Sequence, residues 1–143
     1  RLVGSEMCIR DSIATAPKDM LDIEATLRWL ADNGVRVIGA DSSRCTGYIF
    51  NSADVPLQGR LDGGLPSARG RLLILNGIPA DERIQDASMI RLGIAAGKRA
   101  EAAGGIYHPA ANAEFDRLTG GESSRIQLRS IIANAMLARH LTE

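Results

Sequence analysis

Lys18 is the residue of this chain with the clearest opportunity for covalent chemistry. Residues 12–15 read as the tail of a strand, and Pro17 with Asp19 read as the opening of a helix, Asp19 a candidate N-cap with Asp22 three residues on. A lysine between the two lies beyond the carboxyl end of a strand, where open α/β sheets gather their ligands. Facing the positive end of a helix dipole disfavours its charged form, and partial burial acts in the same sense. A neutral amine is what imine formation with a carbonyl, or with the open-chain form of a sugar, requires. The same position also suits an ordinary solvated lysine, the commoner fate of the residue type.

The other polar candidates each admit two readings. Asn76 ends an apolar run and can serve as a polar site contact or as a turn residue bonding its own backbone. Gly120-Gly121 can present amides to a phosphate at the next helix, or simply end one helix before Ser123 caps another. His108 and His140 are too far apart for a local metal motif, which favours surface or helix-end roles. Cys45 has no activating base nearby in sequence and reads as inert.

These residues need a scaffold, and the chain alternates strand and helix signals. Met20, Ile23, Leu27 and Leu30 share one helical face, and Asn33-Gly34 ends that helix. Residues 35–38 are short, apolar and β-branched, as a buried strand should be. A polar, glycine-containing stretch follows to residue 70, with extended pieces expected at 48–50 and 55–57. Residues 71–76 are the clearest strand, closed by the loop Asn76-Gly77-Ile78-Pro79. An Ala-rich helix is expected over 86–103. Its Gly93 and Gly97 lie one above the other, which costs about 1 kcal/mol each relative to Ala and implies close packing against another backbone. Pro109 opens a further helix, and the last begins near Ser123 with Leu128, Ile131, Ile132 and Ala135 on one stripe. The expectation is an α/β fold: a partial α/β/α layered arrangement around a mostly parallel sheet.

Composition narrows the function classes. Seventeen basic and seventeen acidic side chains leave no net charge, which gives no electrostatic case for nucleic acid or acidic membranes. No apolar run approaches the roughly 20 residues that span a bilayer. Aromatics are only 3%, so the core must come from Ile, Leu, Val and Ala. Residues 2–11, Leu-Val-Gly-Ser-Glu-Met-Cys-Ile-Arg-Asp, match codon for codon the translation of a transposase library adapter, whose final bases open the codon of Ser12. Residues 1–12 are therefore expected to be a non-native scar, of which 1–11 have no packed role, with 13–143 the C-terminal part of an N-terminally truncated domain. Setting Cys8 aside leaves Cys45 alone, which suits a reducing, cytoplasmic setting.

The segment Ala16-Pro17-Lys18-Asp19-Met20-Leu21-Asp22, followed by Asn33-Gly34-Val35-Arg36-Val37-Ile38-Gly39, resembles the pseudouridine-5'-phosphate glycosidases, also called pseudouridylate synthase or indigoidine synthase A-like proteins. The family's lysine lies in an A-G-x-K-S-I-L-D segment before a G-V-P-V-I-G strand. The resemblance continues through Arg60-Leu61-Asp62, through Asn76-Gly77-Ile78-Pro79 (N-P-I-P in the family), and through Leu118-Thr119-Gly120-Gly121-Glu122-Ser123 and Asn134-Ala135-Met136-Leu137-Ala138. It implies reversible cleavage of the C–C glycosidic bond of pseudouridine 5'-phosphate to uracil and ribose 5-phosphate, with Lys18 as the nucleophile that holds the sugar as a ring-opened imine. It also implies Mn²⁺ and a homo-oligomer, a trimer. The family's general acid (a Glu), a substrate-binding lysine and the Mn²⁺-liganding Asp precede this segment, so no metal ligand is assigned here and the segment alone is expected to be inactive.

Several family positions differ. Ala16 and Pro17 replace residues of the lysine loop, Gln127 stands for a site asparagine, Asn51 stands for an arginine, and about three turns of helix are absent between Asp62 and Arg71. Asn76 and Gln127 are the candidate substrate contacts. A non-catalytic relative, binding a sugar phosphate or purely structural, is the alternative reading.

Overall fold

The computed structural model describes residues 11–66 and 70–143. Three parallel strands form the sheet: β1 (Asp11–Ala14), β2 (Val35–Gly39) and β5 (Arg71–Leu75), in the order β1-β5-β2. Ile13 and Ile38 both pair with Ile74 across the central strand. A two-stranded antiparallel ribbon, β3 (Arg44–Cys45) and β4 (Val55–Pro56), lies in the polar stretch between β2 and β5. The helices are α1 (Ile23–Asp32), α2 (Ser88–Ala102), α3 (Tyr107–Leu118) and α4 (Glu122–Thr142), with a 3₁₀ turn at Ala80–Glu82.

Side chains alternate across a strand, so β2 and β5 feed two cores. Val37, Leu73 and Leu75 meet Ile23, Leu27 and Leu30 of α1 on one face. Ile38, Leu72 and Ile74 meet Leu137 and Leu141 of α4 on the other. Burial on both faces explains why these strands read as unbroken apolar runs. The result is the expected α/β arrangement, a parallel sheet with a helical layer on each face. A third core gathers Ile49, Phe50, Ile78, Phe115 and Ile126, with the Phe50 and Phe115 rings edge to face at 5.3 Å.

Four expectations are corrected. Helix α1 starts at Ile23, and its cap is Asp22, which accepts from the Ala25 amide at 2.9 Å; Asp19 lies in the preceding loop and is not a cap. The glycines of α2 pack against aromatic side chains rather than another backbone: a Cβ on Gly93 would sit 2.2 Å from the Phe115 ring, and one on Gly97 2.7 Å from the Tyr107 ring. The stripe Leu128, Ile131, Ile132 and Ala135 faces outward, the three larger side chains 52–63% exposed, because α4 packs through Ser123, Ile126 and Ser130. Finally, Asp11 pairs with Leu72, so β1 begins one residue ahead of the expected strand at 12–15, inside the segment expected to have no packed role. Residues 1–10 lie outside the described residues.

The outer edge of β2 is lined by the chain itself. The Gly39 amide donates to Gly59 O, the Gln58 amide to Val37 O and the Leu61 amide to Gly39 O, while the Gln58 side chain accepts from the Val37 amide. Gly39 ends the strand where no side chain fits: a Cβ there would overlap the Ser42 carbonyl, 1.7 Å away. That close approach folds residues 40–43 back over the carboxyl end of the sheet.

Candidate functional site

All three parallel strands deliver their loops to the same end of the sheet. Residues 15–22 follow β1, residues 40–43 follow β2, and residues 76–79 follow β5. This is the end at which α/β sheets bind ligands.

The loop after β1 carries Lys18, half-buried, its carbonyl accepting from the Leu21 amide at 2.9 Å. Since α1 begins only at Ile23, Lys18 stands four residues ahead of the cap, beyond the first-turn range of the helix dipole. The expected dipole effect on its amine therefore loses its basis. Asp19 has a structural task. Its buried carboxylate accepts the amides of Tyr48, Ile49 and Phe50 at 2.9, 2.9 and 3.2 Å and the Ser52 hydroxyl, fixing the loop at residues 48–52. This pin ties the residue that follows Lys18 to Ile49 and Phe50 of the third core.

Asn76 closes β5 and joins three elements. Its amide donates to Ala14 O at 2.7 Å, and its side-chain nitrogen donates to Asn134 Oδ1 on α4 at 3.1 Å. Asn134 in turn donates to Thr15 Oγ1 at 3.1 Å, just past β1. Asn76 is thus more than a self-bonded turn residue; it sits in a polar chain linking strand ends to α4. Gln127 lies on α4 one turn before Ser130, whose hydroxyl donates to the Gln127 carbonyl at 2.7 Å.

Two adjoining cavities open at this end. The larger, about 310 Å³, is lined by residues that include Thr15, Asp41, Ser42, Thr46, Gly77 and Arg83. The smaller, about 170 Å³, is lined by residues that include Asp41, Asn76, Glu82, Arg129 and Ser130. Gly77, Ile78 and Pro79 form part of both walls. Asn76 lines the smaller cavity, while Lys18 and Gln127 line neither.

Sequence reasoning missed Arg83 and Asp19 as organising residues, and Asn134 as the partner of Asn76. Arg83 is 8% exposed. Its Nε donates to Ile78 O at 2.8 Å, and its Nη1 donates to Thr46 Oγ1 at 2.8 Å and Asn51 Oδ1 at 3.3 Å. Asn51, where the resembling family has an arginine, also donates to Ala80 O and Gln85 Oε1. Burial disfavours the charge on Arg83, an effect partly offset by the Asp19 carboxylate. Burial likewise raises Cys45, whose thiol is held in its neutral form, and raises the phenol of Tyr48.

Gly120-Gly121 resolves toward its structural reading. The Gly121 amide donates to Asp116 O, the Ser123 amide to Thr119 Oγ1, and the Ser124 amide to Asp116 Oδ1. The first amides of α4 are therefore engaged by the protein, which removes the basis for a phosphate there. Helix α4 is capped by Gly121 and not by Ser123, which lies inside the helix. His108 and His140 are both exposed, near the start of α3 and the end of α4. Among the described residues no three His, Cys, Asp or Glu side chains cluster as a metal would need. No helix among the described residues is long and apolar enough to cross a membrane.

No family model matches the chain. It is similar to a pseudouridine-5'-phosphate glycosidase of Thermus thermophilus, with 26% identity over 144 aligned positions, covering 88% of this chain and 49% of that protein. The chain thus spans about half the length of the curated relative it matches. Similarity at this level, over most of the chain, supports a distant relationship to the pseudouridine-5'-phosphate glycosidases.

Proposed function

We propose that residues 13–143 form the lysine-bearing part of a glycosidase acting on a phosphorylated nucleoside, pseudouridine 5'-phosphate being the substrate suggested by the relative's name. The observation that carries this reading is the position of Lys18: a half-buried lysine in the loop at the carboxyl end of β1, anchored by the neighbouring Asp19, in a chain of which 88% aligns with such an enzyme. In this reading the Lys18 amine bonds to the anomeric carbon as the C–C bond to the base breaks, and the ring C–O bond then opens as a proton passes from the nitrogen to the ring oxygen, leaving the protonated imine. The base takes a proton from a general acid supplied outside these residues. Water then hydrolyses the ring-opened imine, releasing ribose 5-phosphate and the free amine. Asn76 and Gln127 are proposed as polar contacts to the substrate. Mn²⁺ held by residues outside this segment, and a homo-oligomeric state, belong to the same proposal.

The reading is tested by following uracil release from pseudouridine 5'-phosphate in a chain that also carries the part matching the rest of the relative's length. Lys18→Ala should abolish release, and Lys18→Arg should not restore it, because a guanidinium is not a nucleophile near neutral pH. Retained turnover in Lys18→Ala would place the nucleophile elsewhere. Sugar-phosphate binding without uracil release would favour the non-catalytic alternative.

A further inference from the structure

The larger cavity has a cationic wall that the glycosidase reading leaves unused. Arg83 is more than nine-tenths buried, and no carboxylate among the described residues forms an ion pair with it. A buried cation is costly unless something answers its charge. Nε and Nη1 are taken by Ile78, Thr46 and Asn51, all neutral acceptors. Nη2 donates to none of the described residues. Every fully buried side-chain nitrogen or oxygen among them has a partner, so Nη2 is not fully buried, and Arg83 lines the cavity.

The surroundings of Nη2 suit an anion. Gly77 leaves its side open: a Cβ on that residue would stand 3.7 Å from Nη2. Two arginines, Arg83 and Arg44, and one carboxylate, Asp41, line the cavity. Arg44 is already bound by Asp54, which leaves Arg83 as the cation free to act. The nearby Asp19 carboxylate is occupied by backbone amides and Ser52, and so does not neutralise Nη2 by a direct bond. Thr15, Ser42 and Thr46 also line the wall. A volume of about 310 Å³ is at the small end of ligand pockets, which limits the guest to a small molecule.

We propose that this cavity is an oxyanion site, in which the open edge of Arg83, beside Gly77, receives the phosphate group of a small ligand. An arginine edge gives phosphate charge-assisted hydrogen bonds that a neutral ligand cannot draw. The site does not depend on the glycosidase reading, because Lys18 does not line it.

The test is calorimetric titration of the 143-residue chain at fixed ionic strength with inorganic phosphate, ribose 5-phosphate and ribose. Phosphate should bind saturably and ribose should not. Tighter binding of ribose 5-phosphate identifies a sugar phosphate as the source of the group, and equal binding identifies free phosphate. Arg83→Lys removes the guanidinium edge and should weaken binding about tenfold. Since that change also breaks bonds to Ile78 and Thr46, Gly77→Leu provides the second variant. It fills the space before Nη2 without removing a bond made by Arg83, and should weaken binding by about the same factor while circular dichroism stays native. Lys18→Ala should bind phosphate like the parent even if it fails every imine assay. Absence of saturable phosphate binding by the parent, or parental affinity in a folded Gly77→Leu, would overturn the site.

Discussion

The ring of Phe115 lies across the bare α-carbon of Gly93, so close that a methyl group there would stand 2.2 Å from a ring carbon. Phe115 is itself buried and held edge to face by Phe50, so the ring has nowhere to move. Gly93→Ala should therefore destabilise the chain by roughly 2–3 kcal/mol, although Ala is favoured over Gly in a helix by about 1 kcal/mol. Gly97→Ala should cost less, since Tyr107 is only half-buried and can swing away. Urea midpoints of the two variants check the order, and equal or stabilising effects would contradict the packing.

Asp19 should be among the most sensitive polar positions. Asp19→Ala strips acceptors from three amides, two of them on the buried residues Ile49 and Phe50, and should cost about 3 kcal/mol or more. Asp22→Ala removes an exposed cap and should cost about 1 kcal/mol. Chemical denaturation of both variants gives the comparison, and a smaller loss for Asp19→Ala than for Asp22→Ala would refute the assignment.

The sheet was legible because β2 and β5 are buried on both faces and must be apolar throughout. Helix α1 was legible because Ile23 and Leu27 repeat at helical spacing. What misled was chemistry shared by different roles. Asp19 and Asp22 are both acceptable caps in sequence, and only the fold of residues 48–52 shows which carboxylate goes inward. In α4 the most apolar stripe faces out, because Ser123, Ser130 and Asn134 face inward with hydrogen bonds that α-helical periodicity cannot register. Arg83 gave no local signal at all. Its partners, Thr46 and Asn51, lie more than 30 residues earlier, in a stretch without clear periodicity. Lys18 and Asn76 could be placed at the carboxyl ends of strands because strand ends are readable, whereas the cavity walls are built by loops.

Outward and inward faces of α4 should respond differently to truncation. Ile126→Ala opens a void in the third core and should cost about 2–5 kcal/mol. Ile131→Ser, on a side chain 63% exposed, should stay within about 0.5 kcal/mol. Thermal melts of the two variants separate the outcomes, and a large loss from Ile131→Ser at low protein concentration would show that this face is covered.

Stability should decline on the alkaline side. Burial raises both Cys45 and Tyr48, so each is neutral in the folded chain where its unfolded counterpart would ionise. For a group raised on folding, the stabilisation is intact below the unfolded value and is lost as pH climbs through the folded one. The decline should therefore begin above the ordinary thiol range, at about pH 8.5, and continue through that of the phenol. Denaturation midpoints measured from about pH 7 to about pH 11 test this, with Cys45→Ser expected to flatten the first part. A profile rising over that range would contradict it.

The central claim, that Lys18 is a nucleophile toward the sugar carbon, is tested most directly by trapping the imine. The chain contains two lysines, Lys18 and the exposed Lys98 of α2, so the second serves as an internal control for nonspecific glycation. A protein carrying this segment together with the part matching the rest of the relative's length would be treated with ribose 5-phosphate and borohydride, digested, and analysed by mass spectrometry. The account predicts a reduced ribose-phosphate adduct on the peptide containing Lys18, in clear excess over Lys98, and its loss in Lys18→Ala. Equal labelling of both lysines, or an adduct confined to another peptide, would contradict it.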